Sequence, residues 1–142
     1  MSSPEPVKVS LIKQYSVFLT NHPGALADLA KRFGDSGINI IGLSSEVRDD
    51  SALVRIALDG DNDYSAVLSK AGFASVESKM ISVEVDDQPG RLHQVTKALG
   101  EGGVNITNVY GTAAGGGISR LLIAAENTSK AMAVLEKLAA ST

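Results

Sequence analysis

Two stretches of the chain alternate apolar and polar side chains, a pattern that predicts a strand with one face against a core. The predicted core-facing side chains are Tyr15, Val17 and Leu19 in the first stretch and Ile81, Val83 and Val85 in the second. After each stretch the apolar spacing changes to the period of a helix face. The helical positions are Leu26, Leu29, Ala30 and Phe33, then Leu92, Val95 and Leu99.

Two strands and a second helix are predicted after each of these helices. In the first half we predict strands over 38–43 and 52–58, and then a helix over 64–71. Residues 61–63 offer capping side chains for that helix, and Asn127 or Thr128 offers one for the helix over 130–138 in the second half. The first helix of each half is predicted to end at a left-handed glycine, Gly34 or Gly100.

The chain is an internal duplication. Asn-His-Pro-Gly-Ala-Leu at 21–26 aligns with Asp-Gln-Pro-Gly-Arg-Leu at 87–92. At the same offset, Gly-Ile-Asn-Ile at 37–40 aligns with Gly-Val-Asn-Ile at 103–106. The second copy carries one extra residue, which we place in the glycine-rich loop 115–117, interpreted as a mobile hairpin connection.

The order of elements in each copy predicts an α+β fold of two ferredoxin-like βαββαβ domains, each with its helices on one face of an antiparallel sheet. We assign residues 13–78 to the first domain and 79–142 to the second. The first domain has its last strand over 73–78, whereas the second copy ends too soon to supply one. Because a free sheet edge is a liability, we hypothesise that residues 7–12 complete the second domain's sheet, leaving 1–6 as a polar leader.

Composition and charge remove several classes of function. The 142 residues contain no cysteine, which excludes disulfides, thiol nucleophiles and cysteine metal sites and fits a cytoplasmic location. The formal net charge of −3 offers no basic surface for nucleic acid. No apolar run is long enough to cross a membrane. With only two isolated histidines, we predict no metal site, no cofactor and no catalytic centre.

The repeated Pro-Gly step has a direct physical interpretation. Proline ends the strand, and the glycine that follows lets a partner approach the helix start, where unpaired N–H groups favour an anion such as a carboxylate. Asn21 offers an amide to such a ligand, whereas an ionised Asp87 only accepts hydrogen bonds and would suit an ammonium group.

The two motifs, Asn or Asp followed by x-Pro-Gly and then Gly-Ile/Val-Asn-Ile after a helix, resemble those of the ACT domain, in two copies over about residues 13–140. The resemblance implies a ligand held where two ACT domains meet, between this loop of one domain and the asparagine-containing strand of the other. One implied site comprises Asn21, His22, Gly24, Ala25 and Leu26 with Asn105 and Ile106. The reciprocal site comprises Asp87, Gln88, Gly90, Arg91 and Leu92 with Asn39 and Ile40.

Several of these residues also have a plain structural interpretation. Arg91 either pairs with an acidic ligand side chain or lies on the surface. Asn39 and Asn105 either contact the ligand or satisfy nearby backbone groups, and His22 is as well explained by a solvated turn.

The resemblance therefore implies a non-catalytic regulatory protein that binds a free amino acid. The alternative is an interaction module that dimerises or docks on a metabolic enzyme without a ligand. A homodimer is expected in either case, because sheet edges and the helix-free face carrying Phe18 invite a partner.

Overall fold

The computed structural model describes residues 7–59 and 63–141. The predicted leader over 1–6 and the predicted capping residues 61 and 62 lie outside the described residues. The elements, in chain order, are β1 (Lys8–Thr20), α1 (Ala25–Asp35), β2 (Ile40–Arg48), β3 (Ser51–Leu58), α2 (Ser65–Lys70), β4 (Ala74–Asp86), α3 (Arg91–Glu101), β5 (Ile106–Gly115), β6 (Ile118–Ala125) and α4 (Thr128–Ala140). The predicted fold class, α+β with two ferredoxin-like units, is confirmed.

By its contacts the chain divides into two compact units, one spanning Ile12–Ser78 and the other combining the N-terminal residues up to Leu11 with the chain from Lys79 onward. The first unit contains the antiparallel order β2, β3, β1, in which Tyr15 lies opposite Ile56. The predicted alternation is confirmed, because Tyr15, Val17 and Leu19 are buried under α1 and α2. Phe18, on the other face of β1, is 54% exposed.

The second unit has the corresponding antiparallel order β4, β6, β5. Its core consists of Ile81, Val83 and Val85 from β4, Val95 and Leu99 from α3, and side chains of β6 and α4, with Val104 between α3 and β5. Three half-buried side chains of the N-terminal segment, Val7, Val9 and Leu11, pack against this core.

The prediction that α1 and α3 end at Gly34 and Gly100 is wrong. Both glycines lie inside their helices, and the left-handed residues are Gly37 at φ 71° and Gly103 at φ 75°. In α1, Gly37 donates its N–H to the carbonyl of Gly34 and Ile38 donates to Phe33, which is the double bond of a Schellman motif. The glycine of Gly-Ile/Val-Asn-Ile is therefore the residue that ends the helix.

This correction predicts opposite effects for two neighbouring glycine substitutions. Gly100→Ala should stabilise the protein by up to about 1 kcal/mol, because no atom lies within 4 Å of the added methyl group and alanine favours the helix. Gly103→Ala should destabilise it by about 1–2 kcal/mol, because its φ is left-handed and the new methyl group would lie 3.0 Å from Nζ of Lys130. Urea unfolding of both variants measures the difference, and equal effects would contradict the helix end described above.

Other boundaries differ by a few residues. The strand predicted over 38–43 is β2, which begins later and runs to Arg48, and α2 is shorter than predicted. Asn127 is the N-cap of α4, since its Oδ1 accepts the N–H of Lys130 at 3.0 Å. Asp63 accepts the N–H of Ser65 at 2.9 Å at the start of α2.

Candidate functional site

Each Pro-Gly loop leads into a helix whose first turn lacks a side-chain cap. Gly24 at φ 87° and Gly90 at φ 91° are the N-cap residues, and no side chain among the described residues caps either helix. The next N–H bonds back into the loop, from Ala25 to the carbonyl of His22 at 3.2 Å and from Arg91 to that of Gln88 at 3.4 Å. Since the N–H groups of Asp28 and Gln94 already donate to the carbonyls of Gly24 and Gly90, the two N–H groups before each of them are the ones placed to bind an anion. They belong to Leu26 and Ala27 in α1 and to Leu92 and His93 in α3.

Each loop is attached to the β-hairpin turn of its own unit. The Asn21 N–H donates to the Asp50 carbonyl at 2.8 Å, and its Nδ2 donates to the Asp49 carbonyl at 3.1 Å. In the second unit, the Asp87 N–H donates to Gly117 at 2.8 Å, and Ser119 Oγ donates to Asp87 Oδ1 at 2.9 Å. Part of the hydrogen-bonding capacity of Asn21 and Asp87 thus fixes the loop, and the rest is open to a ligand.

Arg91 lies partly exposed at the surface and makes an ion pair inside its own unit. Its Nε donates to Asp86 Oδ1 at 2.6 Å and its Nη2 donates to Asp86 Oδ2 at 2.9 Å, so the two side chains form a bidentate ion pair. Nη1 also lies 3.5 Å from Gln94 Oε1. The hydrogen bonds lower the pKa of Asp86 and raise that of Arg91, so both groups are charged at neutral pH.

The residues of the second motif lie at the opposite end of the helix from the loop. Asn39 follows the C-terminal end of α1, which at 11 residues is about 16 Å long. In the second unit, Asn105 donates from Nδ2 to Glu126 Oε1 at 3.0 Å, and its carbonyl accepts the Glu126 N–H. Ile40 and Ile106 are half-buried against their cores. Within one unit, therefore, the two motifs do not form a single site.

A small cavity of about 210 Å³ opens beside the loop of the first unit. Its lining includes Thr20, His22, Ala25 and Asp28, with Phe18 and Phe73 as apolar members. Sequence reasoning identified His22 and Ala25 but missed Thr20 and Asp28. The available signal was an acidic residue in the first turn of α1, one turn after the Pro-Gly step.

The family model of the ACT domain pair matches residues 10–140. The chain belongs to the ACT domain pair family. No curated protein matches the sequence of this ACT pair. Among the described residues, no helix is long and apolar enough to cross a membrane, and no three histidine or acidic side chains cluster as metal ligands.

Solved structures share the fold of this ACT pair. Protein BT0572 from Bacteroides thetaiotaomicron is 24% identical, with a TM-score of 0.80 over 91% of this chain and 89% of that one. The ligand-free regulatory subunit of aspartate kinase from Thermus thermophilus is 14% identical, with a TM-score of 0.64 over 96% and 99%. E. coli aspartokinase III, in complex with lysine and aspartate, is 13% identical with a TM-score of 0.60; the match covers 99% of this chain and 34% of that one. At these identities the likeness establishes the fold alone.

Two leucines of the ACT pair are more exposed than their helical spacing predicts. Leu26 and Leu92 were assigned to the core faces of α1 and α3, but they are 41% and 55% exposed. They occupy the second position of each helix, beside the uncapped N–H groups and beyond the reach of the core. His22 and His93 are also exposed, and His22 Nδ1 lies 2.9 Å from its neighbour's carbonyl oxygen. The loops thus present apolar surface next to backbone donors.

Proposed function

We propose that this ACT domain pair is a non-catalytic regulatory protein that binds a free amino acid through its Pro-Gly loops. The observation that carries the proposal is the uncapped helix start after Gly24 and again after Gly90. In each case backbone donors adjoin an exposed leucine, Leu26 or Leu92. A zwitterion with an apolar stem matches that combination, because its carboxylate accepts from the N–H groups while its stem covers the leucine.

The proposal places the second half of each site on another ACT domain. The separation of about 16 Å along α1 means that the loop needs a partner strand from outside its own unit. Asn105 and Ile106 are the proposed partners of the first loop, and Asn39 and Ile40 those of the second. Asn39 is exposed, which is compatible with this role.

Relatives of the same fold support a regulatory role in general terms. Two of the similar structures are a regulatory subunit of aspartate kinase and an aspartokinase bound to lysine and aspartate. On the basis of those proteins we propose a regulatory role for this one, but we do not carry over any particular ligand. We also propose a homodimer in the cytoplasm, with a metabolic enzyme as the candidate partner.

Thermal unfolding against the twenty common amino acids, each in millimolar excess, tests the proposal. A ligand at one hundred times its dissociation constant should stabilise the native state by about 2.7 kcal/mol and raise the Tm by several degrees. Leu26→Asp should abolish the shift caused by a ligand of the first loop, because the new carboxylate repels an anion. The same charge favours the helix start, so the free protein should stay folded.

The matched control is Ala30→Asp, which adds the same charge one turn further along α1 at another exposed position. It should leave the ligand-induced shift in place. A cooperative transition with no shift for any amino acid would reject the sensor and favour the interaction module. Phe18, which is 54% exposed on the helix-free face of β1, and half-buried Leu53, its neighbour in β3, would then be the first surface to test by mutation for dimerisation.

A further inference from the structure

The two loops differ at three equivalent positions that lie together in space. The duplication aligns the end of β1 with the end of β4, and the first turn of α1 with the first turn of α3. The aligned pairs are Thr20 with Asp86, Ala25 with Arg91, and Asp28 with Gln94. Each unit thus holds one carboxylate here, but only the second unit holds a cation.

In the second unit, a guanidinium group occupies this place. Arg91 reaches from the first helical residue to the end of β4, where Asp86 binds it through two oxygens and Gln94 lies at 3.5 Å. The group is only partly exposed, at 32% for the Arg91 side chain and 21% for Asp86. The fold can therefore accommodate a planar cation between the strand end and the first turn of the helix.

In the first unit, the aligned residues line the cavity of about 210 Å³ instead. Ala25 leaves the space that the longer side chain fills in the other copy, and the carboxylate is moved to Asp28 on the helix. Within the described parts of the chain, no salt bridge or side-chain hydrogen bond involves Asp28. The volume is below the roughly 300 Å³ of a whole-ligand pocket, so it suits one end of a small molecule.

We infer that this cavity receives the cationic side-chain end of the bound amino acid, a guanidinium or primary ammonium group paired with Asp28. The inference rests on the proposed function. The ligand's α-carboxylate binds the N–H groups after Gly24, and its side chain turns toward Asp28 and Thr20. In the second unit Arg91 fills the corresponding place from within, so that loop does not discriminate in favour of a cation.

Charge supports the choice of a cation over an acidic or neutral group. A carboxylate in the cavity would face Asp28 and be repelled, and an apolar end would remove a solvated carboxylate from water without a partner. A cation restores the pairing that the other copy makes internally. Hydrogen bonds between two ionised groups are shorter and stronger than neutral ones, which gives the pairing a measurable effect.

Isothermal titration calorimetry with matched ligands tests the inference. L-Arginine is compared with L-citrulline, its neutral analogue of the same shape, and L-lysine with L-norleucine. We expect one cationic ligand to bind about tenfold more tightly than its neutral analogue, and Asp28→Asn to remove that preference. The double variant Thr20→Asp/Ala25→Arg, which transplants the internal pair of the second unit, should abolish cation binding at the first loop.

Asp86→Thr, Arg91→Ala and Gln94→Asp together make the reverse exchange, which should create a second binding event for the cationic ligand. Equal affinities for arginine and citrulline, and for lysine and norleucine, would overturn the inference while leaving the proposed function standing. Binding of a neutral or acidic amino acid unaffected by Asp28→Asn would do the same. Absence of binding by every amino acid would reject the proposed function itself.

Discussion

Phe33→Ala should destabilise the protein by about 3–5 kcal/mol, the largest effect we expect from a single substitution. The Phe33 ring is fully buried in the core of the first unit, beside Tyr15, Leu29 and Leu68. Its carbonyl also accepts the N–H of Ile38 at the end of α1, at 2.9 Å. Loss of the ring leaves a cavity directly beneath the helix that carries the first loop. Urea unfolding followed by circular dichroism measures the change.

Phe18→Ala is the matched control, because it removes the same ring from the helix-free face of β1, where it is 54% exposed. We expect a change below about 1 kcal/mol, since most of that ring is already in water. A larger effect for Phe18 than for Phe33 would contradict the exposure of Phe18 and mean that the helix-free face is covered in solution.

Val9→Asp should destabilise the second unit by about 2–3 kcal/mol although it lies at the other end of the sequence. We keep as a proposal that residues 7–12 complete the sheet of the second domain, with 13–78 and 79–142 as the two domains. Val9 is half-buried against the core formed by Val83, Val95 and their neighbours, so a carboxylate there would lose water without gaining a partner.

Ser10→Asp places the same charge on the adjacent residue of β1, whose side chain is exposed, and should have an effect within about 0.5 kcal/mol. Hydrogen exchange read by mass spectrometry locates the change. Val9→Asp should increase exchange in α3, β5, β6 and α4. Increased exchange confined to α1 through α2 would contradict the proposed role of residues 7–12.

The periodic signals predicted the fold because most of the core-facing residues obey them, although Leu26, Ala30 and Leu92, also predicted to face the core, are exposed. Tyr15, Val17 and Leu19 alternate as a strand should, and Leu29 and Phe33 are the buried face of α1. The helix ends were misjudged because two glycines stand within four residues of each other, as at Gly34 and Gly37. Only the local φ distinguishes a glycine inside a helix from the one that ends it.

The site was predicted less completely than the fold, for a physical reason. The motif identifies backbone donors, which depend on chain direction and on glycine, and both are readable from sequence. The partners of Arg91 depend on which side chains converge after folding. Asp86 belongs to a strand end and Gln94 to the next helical turn, and neither position falls in the repeated motif.

The Arg91–Asp86 ion pair makes the two copies of the duplicated chain unequal in how charge is paired at the start of the helix. A copy that supplies its own cation gains its stabilisation at every metabolite concentration, whereas a copy with alanine at that position gains it only when the ligand is present. On the proposed assignment, the two copies thus differ in that the pairing is constant in the second and depends on the ligand in the first. The first loop would then respond to the concentration of a cationic metabolite, whereas the second loop would keep its ion pair at any concentration.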